Sequence, residues 1–177
     1  MQNIIKKYIP EFVYGAVDGT VTTFAVVAAS AGAGISSAVI LILGIANLIA
    51  DGFSMGSSAY LAASAEHDEL VHNKKKRSSS KIIGLMTFLA FVIVGSVPVL
   101  PYLIDVIANL KISSTTLFYV SSILTAVVFV LIGFIKGKVS EQSPWQSSVI
   151  TLTLGAIAAG LAYFAGDILA SLLGVRL

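Results

Sequence analysis

Three polar side chains follow one another at four-residue intervals inside a long apolar stretch: Asn47, Asp51 and Met55. Residues four apart lie on the same face of a helix, so an amide, a carboxylate and a thioether would face one way. A preceding apolar stretch carries another acid, Asp18. Together these groups form a mixed set of hard and soft ligands, and a thioether suits transition metals better than Mg²⁺ or Ca²⁺. The pattern therefore predicts a site for a divalent transition-metal ion, held by Asp18, Asp51 and Met55 with help from Asn47.

Asp18 and Asp51 are the two acids that lie well inside predicted membrane spans. An acid at the bilayer centre costs about 2.5–3.5 kcal/mol on insertion scales, so each needs a partner or a function. Since neighbouring carboxylates can hold either protons or a dication, we predict that both residues also couple metal to protons. Structural interpretations stay open: Asp18 at a helix-end turn, Asp51 or Asn47 bridging helices, and Met55 as apolar filling.

The composition is that of a polytopic membrane protein. The 177 residues are 56% hydrophobic and 11% charged, whereas soluble domains have about 25% charged residues. Apolar segments of this length span a bilayer, and lipid requires that they be helical. We predict an all-α membrane protein with one transmembrane domain over residues 1–177 and a linker at 66–81. Its five helices cover about 12–33, 37–65, 82–103, 115–135 and 147–173.

The basic residues predict the orientation. Lys and Arg concentrate on the cytosolic side of membrane proteins. Of the eleven here, nine fall on one predicted side: Lys6, Lys7, Lys74, Lys75, Lys76, Arg77, Lys81, Lys136 and Lys138. Lys111 and Arg176 fall on the other side. We therefore predict a cytosolic N-terminus and cytosolic linkers at 66–81 and 136–145.

The cytosolic linker is the strongly charged segment. Glu66, Glu69 and His72 are candidates for a cation-collecting mouth, with a solvated linker as the alternative. The basic run at 74–77 is typical of a topology anchor that also favours anionic lipid. In so short a linker, no nucleic-acid partner is expected.

Small residues are dense in the last segment. Gly155, Ala159, Gly160 and Gly166 predict faces where helices approach closely.

Motifs of enzymatic chemistry are missing from the sequence. It has no Cys, no P-loop, no HExxH motif, no dinucleotide-binding fingerprint and no Ser–His–Asp set. We therefore predict a secondary transporter rather than an enzyme, with no cofactor besides the transported ion.

Two stretches carry a family resemblance: YGAVDGTVTTFAVVAASAGAG at 14–34 and ILGIANLIADGFSMGSSAYLAASAE at 42–66. They resemble the vacuolar iron transporter family, and weaker similarity extends over nearly the whole chain. The resemblance implies a five-helix homodimer that exports Fe²⁺, often also Mn²⁺, from the cytosol in exchange for protons. It also implies an ion path at the dimer interface, lined by the first two helices, with Asp18 and Met55 as path residues.

This sequence departs from the plant members of that family in two ways. They have a glutamate where this chain has Asn47, while here the acid Asp51 lies one turn further on. They also carry a cytosolic metal-binding domain, for which the linker 66–81 is too short. The chain therefore resembles a short microbial member, expected in a prokaryotic plasma membrane, or in a vacuolar membrane if it is eukaryotic.

Two other hypotheses remain at this stage. A non-transporting membrane interaction or sensor subunit would use its buried acids for helix association. An exchanger for a small organic cation would use them for another substrate.

Overall fold

The computed structural model describes residues 2–69 and 79–174, with side chains described at 8–66 and 79–174. Within these ranges the chain is helical and contains no strand. The elements are α1 (Gln2–Gly32), α2 (Ser37–Glu69), α3 (Ser80–Gly95), a short 3-10 turn (Val97–Val99), α4 (Leu100–Ala108), α5 (Ser114–Val139) and α6 (Pro144–Leu173).

Five stretches of these helices are long and apolar enough to cross a membrane. They are Tyr8–Gly32, Ser37–Glu66, Ser80–Ala108, Ser114–Val139 and Pro144–Leu173. The prediction of an all-α membrane protein with five spans is confirmed. Because the number of spans is odd, the two ends of the chain lie on opposite sides of the membrane.

The third span differs most from its predicted bounds, because it does not end at its prolines. Pro98 and Pro101 each lie in the first turn of a new helical segment. A proline is tolerated there because its missing N–H would have no partner inside the helix. The chain therefore bends through one 3-10 turn and continues as α4, which ends at the left-handed Asn109. The span thus reaches Ala108 rather than residue 103.

The first helix is central, since α1 contacts α2, α3, α5 and α6. Its contact with α3 is parallel: Gly15 packs on the backbone of Thr87, and Gly19 packs one turn later on Phe91. The contact with α2 is antiparallel, because α1 turns directly into α2 at the left-handed Gly34. The helices α5 and α6 are also antiparallel.

The apolar core lies among α1, α2, α3, α4 and α5. It is built from Phe24, Val27, Ile40, Leu41, Leu48, Phe91, Val99, Tyr102 and Leu117. This core holds α1 and α2 side by side, and these are the helices that carry the predicted metal ligands.

Candidate metal-ion site

The position of Asp18 follows from the glycine that comes after it. Gly19 lies directly on the backbone of Phe91, where a Cβ atom would come within 2.5 Å of the carbonyl oxygen. This contact turns one face of α1 onto α3. The side chain of Asp18 points away from that face and is half-buried.

The second helix is oriented in the same manner. Gly44, Gly52 and Gly56 face the third span, where they pack against Val99, Phe91 and Phe88. Asp51 lies beside this packed face and is exposed on the surface of the single chain. A carboxylate exposed to lipid carries the insertion cost given above, unless another molecule covers it.

The structure brings the two predicted acids together. Asp18 and Asp51 interact electrostatically across the α1–α2 contact, and their like charges repel each other. Neither lies in a helix-end turn, since α1 runs from Gln2 to Gly32 and α2 from Ser37 to Glu69. Two like charges in apolar surroundings favour a bound cation or proton.

Asn47 links the same two helices. Its side-chain Nδ2 donates a hydrogen bond of 3.4 Å to Oγ1 of Thr23, a fully buried residue of α1. The amide oxygen of Asn47 is the atom that remains for a metal ion, because the nitrogen is engaged with Thr23.

Met55 is half-buried on α2 and packs against the apolar core. In the single chain, the side chain of Met55 therefore contributes to core packing. Because Met has three rotatable bonds, the sulfur can change position without large movement of the backbone.

The described residues of one chain do not form a complete set of metal ligands. Among the residues described, no three His, Cys, Asp or Glu side chains group closely enough to hold a metal ion. Asp18 and Asp51 form a pair. Asn47 and Met55 lie one helical turn before and after Asp51 on α2. Any further carboxylate that binds the metal ion must come from a residue other than these four.

Glu11 is a further acid of α1, and it was not among the predicted ligands. It lies inside α1, two turns before Asp18, which places it near the same helix face. Its Oε2 atom is buried and has no hydrogen-bond partner among the described residues. The seven-residue spacing from Asp18 was the signal that could have identified it.

The predicted mouth residues are less well defined. Glu66 is exposed near the end of α2. Glu69 ends α2, but its side chain lies outside the described part, and His72 lies outside the described residues altogether. The mouth therefore stays a prediction.

The described chain is thus a five-span helical membrane protein with two interacting carboxylates between its first two helices. Comparison with known sequences identifies the family. The VIT family profile matches residues 9–82 and 68–167, so the chain belongs to the VIT family.

Named relatives agree with this assignment. A vacuolar iron transporter of Toxoplasma gondii is 25% identical over 237 residues, covering 99% of this chain and 78% of the relative. Vacuolar iron transporter 1 of Eucalyptus grandis is 24% identical over 216 residues, covering 89% of this chain and 84% of the relative. A vacuolar iron transporter of Plasmodium falciparum is 36% identical over 74 residues, or 42% of this chain and 27% of the relative.

The comparisons support metal transport by an integral membrane protein that is not an enzyme. The alignment with the Toxoplasma gondii protein is longer than this chain, so the relative carries segments that this chain lacks. These relatives are eukaryotic and are named for the vacuole. They give no support to the expectation of a prokaryotic plasma membrane.

Proposed function

We propose that this protein is a homodimeric exporter that moves Fe²⁺ or Mn²⁺ out of the cytosol in exchange for protons. The observation that carries the proposal is the approach of Asp18 to Asp51 inside the first two spans. Both carboxylates lie within the bilayer, and one of them is exposed at the surface of the single chain. Metal detoxification or storage is the biological role that fits such an exporter.

The exposed position of Asp51 supports a dimer. A second copy packed against the α1–α2 face would cover this carboxylate and bring a second pair of acids to the same axis. Four carboxylates with amide and thioether groups would then form the ligand set that the described residues of one chain do not complete. Two-fold dimers, which pair identical surfaces, are the commonest symmetric oligomers of soluble proteins, and the same geometry is proposed here.

Proton exchange follows from the chemistry of the same acids. A carboxylate inside a membrane span is costly, so Asp18 and Asp51 favour a bound metal ion or protons as partners. When the metal leaves, protons replace it, and when metal enters, protons are displaced. In this mechanism protons bind on the far side of the membrane as the metal leaves, and they are released into the cytosol before the next metal ion binds. A proton gradient directed into the cytosol therefore drives metal outward.

Ligand chemistry supports a transition metal that is released easily. Carboxylate and amide oxygens accept Mn²⁺ and Fe²⁺, and a single thioether adds preference for transition metals over Mg²⁺ and Ca²⁺. In the absence of Cys, the site has no thiolate that would hold the ion too tightly for transport.

Transport is tested with purified protein in liposomes that enclose a metal-sensitive dye or a pH dye. We expect Fe²⁺ and Mn²⁺ to enter while protons leave, and Mg²⁺ to be ineffective. Metal entry without a pH change would contradict proton coupling. No entry under any gradient, from folded protein, would favour the interaction or sensor subunit. Competition by a small organic cation would favour the third hypothesis.

The dimer is tested by cross-linking, which the absence of Cys makes simple. Ser54 is exposed on α2 beside Asp51, and Ile93 is exposed on α3. We expect Ser54→Cys to form a disulfide-linked dimer in the membrane and Ile93→Cys to remain monomeric on gels. Equal cross-linking by both variants would contradict the proposed interface.

A further inference from the structure

The helices α5 and α6 are in close contact at their connected ends and diverge further along. Gly133 and Gly137 of α5 lie against α6, and Gly155 of α6 lies against Phe129. Beyond this point the two helices also contact different neighbours, while the rings of Phe118 and Tyr163, with centroids 5.8 Å apart, still join them at the wall of the gap. Ser121 of α5 donates a hydrogen bond of 2.6 Å to the carbonyl of Pro98, whereas Gly166 of α6 packs on α1. A wedge-shaped gap therefore opens between α5 and α6.

This gap is a cavity of about 740 Å³, within the range of small-molecule sites in proteins. None of the described side chains that line it is an acid or a base, and it shares no residue with the Asp18–Asp51 site. Its walls are mainly aromatic and aliphatic, and include Phe24, Phe118, Tyr119, Gly160, Tyr163 and Phe164.

Gly160 keeps this cavity open. A Cβ atom added to it would meet nothing within 4 Å in the described structure, whereas Gly155 and Gly166 are tightly packed. The predicted close packing at Gly160 is therefore not seen within the described part of one chain. A glycine inside a helix costs about 1 kcal/mol relative to alanine, and no close neighbour among the described residues accounts for glycine at this position.

The opening of the cavity faces lipid. Tyr119 and Phe164 stand on the two sides of the gap, and each is 64% exposed within a membrane span. The lining extends along α5 from Ser114 to Phe129, which corresponds to about 22 Å of helix. This length is more than half of a hydrocarbon core of about 30 Å. The hydroxyls of Ser114 and Thr115 lie at the membrane-surface end.

We propose that this cavity binds one acyl chain of a membrane phospholipid from the leaflet at the α1–α2 turn. The lipid headgroup would lie near Ser114 and Thr115, and the chain would run between α5 and α6 past Gly160. The walls are mainly apolar, and the lining lies in membrane spans, so a hydrocarbon chain suits the cavity better than water.

The test uses the full chain in vesicles of phosphatidylcholine that carries a photoactivatable diazirine near the end of one acyl chain. Labelled peptides are identified by mass spectrometry after irradiation. We expect labels on the facing segments of α5 and α6. Gly160→Phe should reduce this labelling at least fivefold by filling the cavity. Ala165→Phe is the matched control, because Ala165 is exposed on α6 but does not line the cavity.

A second variant tests whether a loss of labelling in Gly160→Phe comes from filling the cavity rather than from misfolding. Ala156→Phe fills the same cavity from another position on α6, and it should also reduce labelling at least fivefold. Equal labelling of these variants and the wild type would overturn the proposal. Efficient cross-linking between two chains, by a photoreactive amino acid at position 160, would also overturn it in favour of a second copy.

Discussion

Asn47 of α2 donates a hydrogen bond to Thr23 of α1 across the same helix pair that carries Asp18 and Asp51. Thr23 is fully buried, and the Nδ2–Oγ1 distance is 3.4 Å. This bond contributes to the register of α2 along α1, and the distance between the two carboxylates depends on that register. The amide is thus a positioning group in addition to a candidate ligand.

The hydrogen bond is tested by a double-mutant cycle. Asn47→Leu and Thr23→Val should each destabilise the protein, with a coupling energy between them of about 0.6 kcal/mol, the mean found by such cycles between membrane helices. The double variant should cost little more than either single variant, because both changes remove the same bond. Unfolding in mixed micelles measures these differences. Fully additive losses would show that the two side chains do not interact.

Met55 is expected to affect metal preference more than stability. Met55→Leu conserves volume, so it should change the free energy of unfolding by less than about 1.5 kcal/mol. Loss of the thioether should reduce Fe²⁺ transport more than Mn²⁺ transport, since Mn²⁺ prefers oxygen ligands. The ratio of the two initial rates in liposomes measures this effect. An unchanged ratio would assign Met55 to packing alone.

Glu11 extends the acidic face of α1 by two turns. Its Oε2 is buried and has no hydrogen-bond partner in the part of the chain that the structure describes, so we expect it to receive a cation before Asp18 does. Glu11→Gln should raise the metal concentration for half-maximal transport at least threefold and leave the maximal rate nearly unchanged. Phe12→Leu, a neighbouring substitution without charge, is the control. Loss of the maximal rate alone would place Glu11 at a later step.

Gly19 is expected to be intolerant of any side chain. A Cβ atom there would collide with the main chain of Phe91, which cannot move without shifting α3. Gly19→Val should therefore cost about 1–3 kcal/mol by overpacking, and it should impair transport through Asp18. Gly160→Ala provides the contrast, because that site has room for a methyl group. Thermal unfolding of both variants checks the difference, and similar stability would contradict the contact.

Much of the architecture could be predicted from the sequence because lipid leaves few choices. Long apolar segments must be helical, and their number and approximate bounds follow from length. The proximity of Asp18 and Asp51 was also predictable, since a short turn forces α1 and α2 to be antiparallel neighbours. Residues at comparable depth on such neighbours come close together.

Other features depend on three-dimensional packing that spacing does not encode. A proline ends a helix in many sequences, but Pro101 begins one here after the 3-10 turn. Gly155 and Gly160 look alike in sequence, yet the divergence of α5 from α6 leaves only Gly160 beside empty space. The burial of Met55 could not be predicted either, because its position on a helix face does not show which neighbouring helix covers it.

The most direct test of the account is the Asp51→Asn variant in liposomes, compared with wild type and with Asp167→Asn. Asn has the shape of Asp without its charge or its exchangeable proton. Asp167 is an acid of α6 that has no role in the proposed site. We predict that Asp51→Asn lowers metal entry and proton exit together at least tenfold, while the dimer and the Asp167→Asn control stay intact. Normal metal-coupled proton exit by Asp51→Asn would contradict the proposed role of this carboxylate in binding the transported ion.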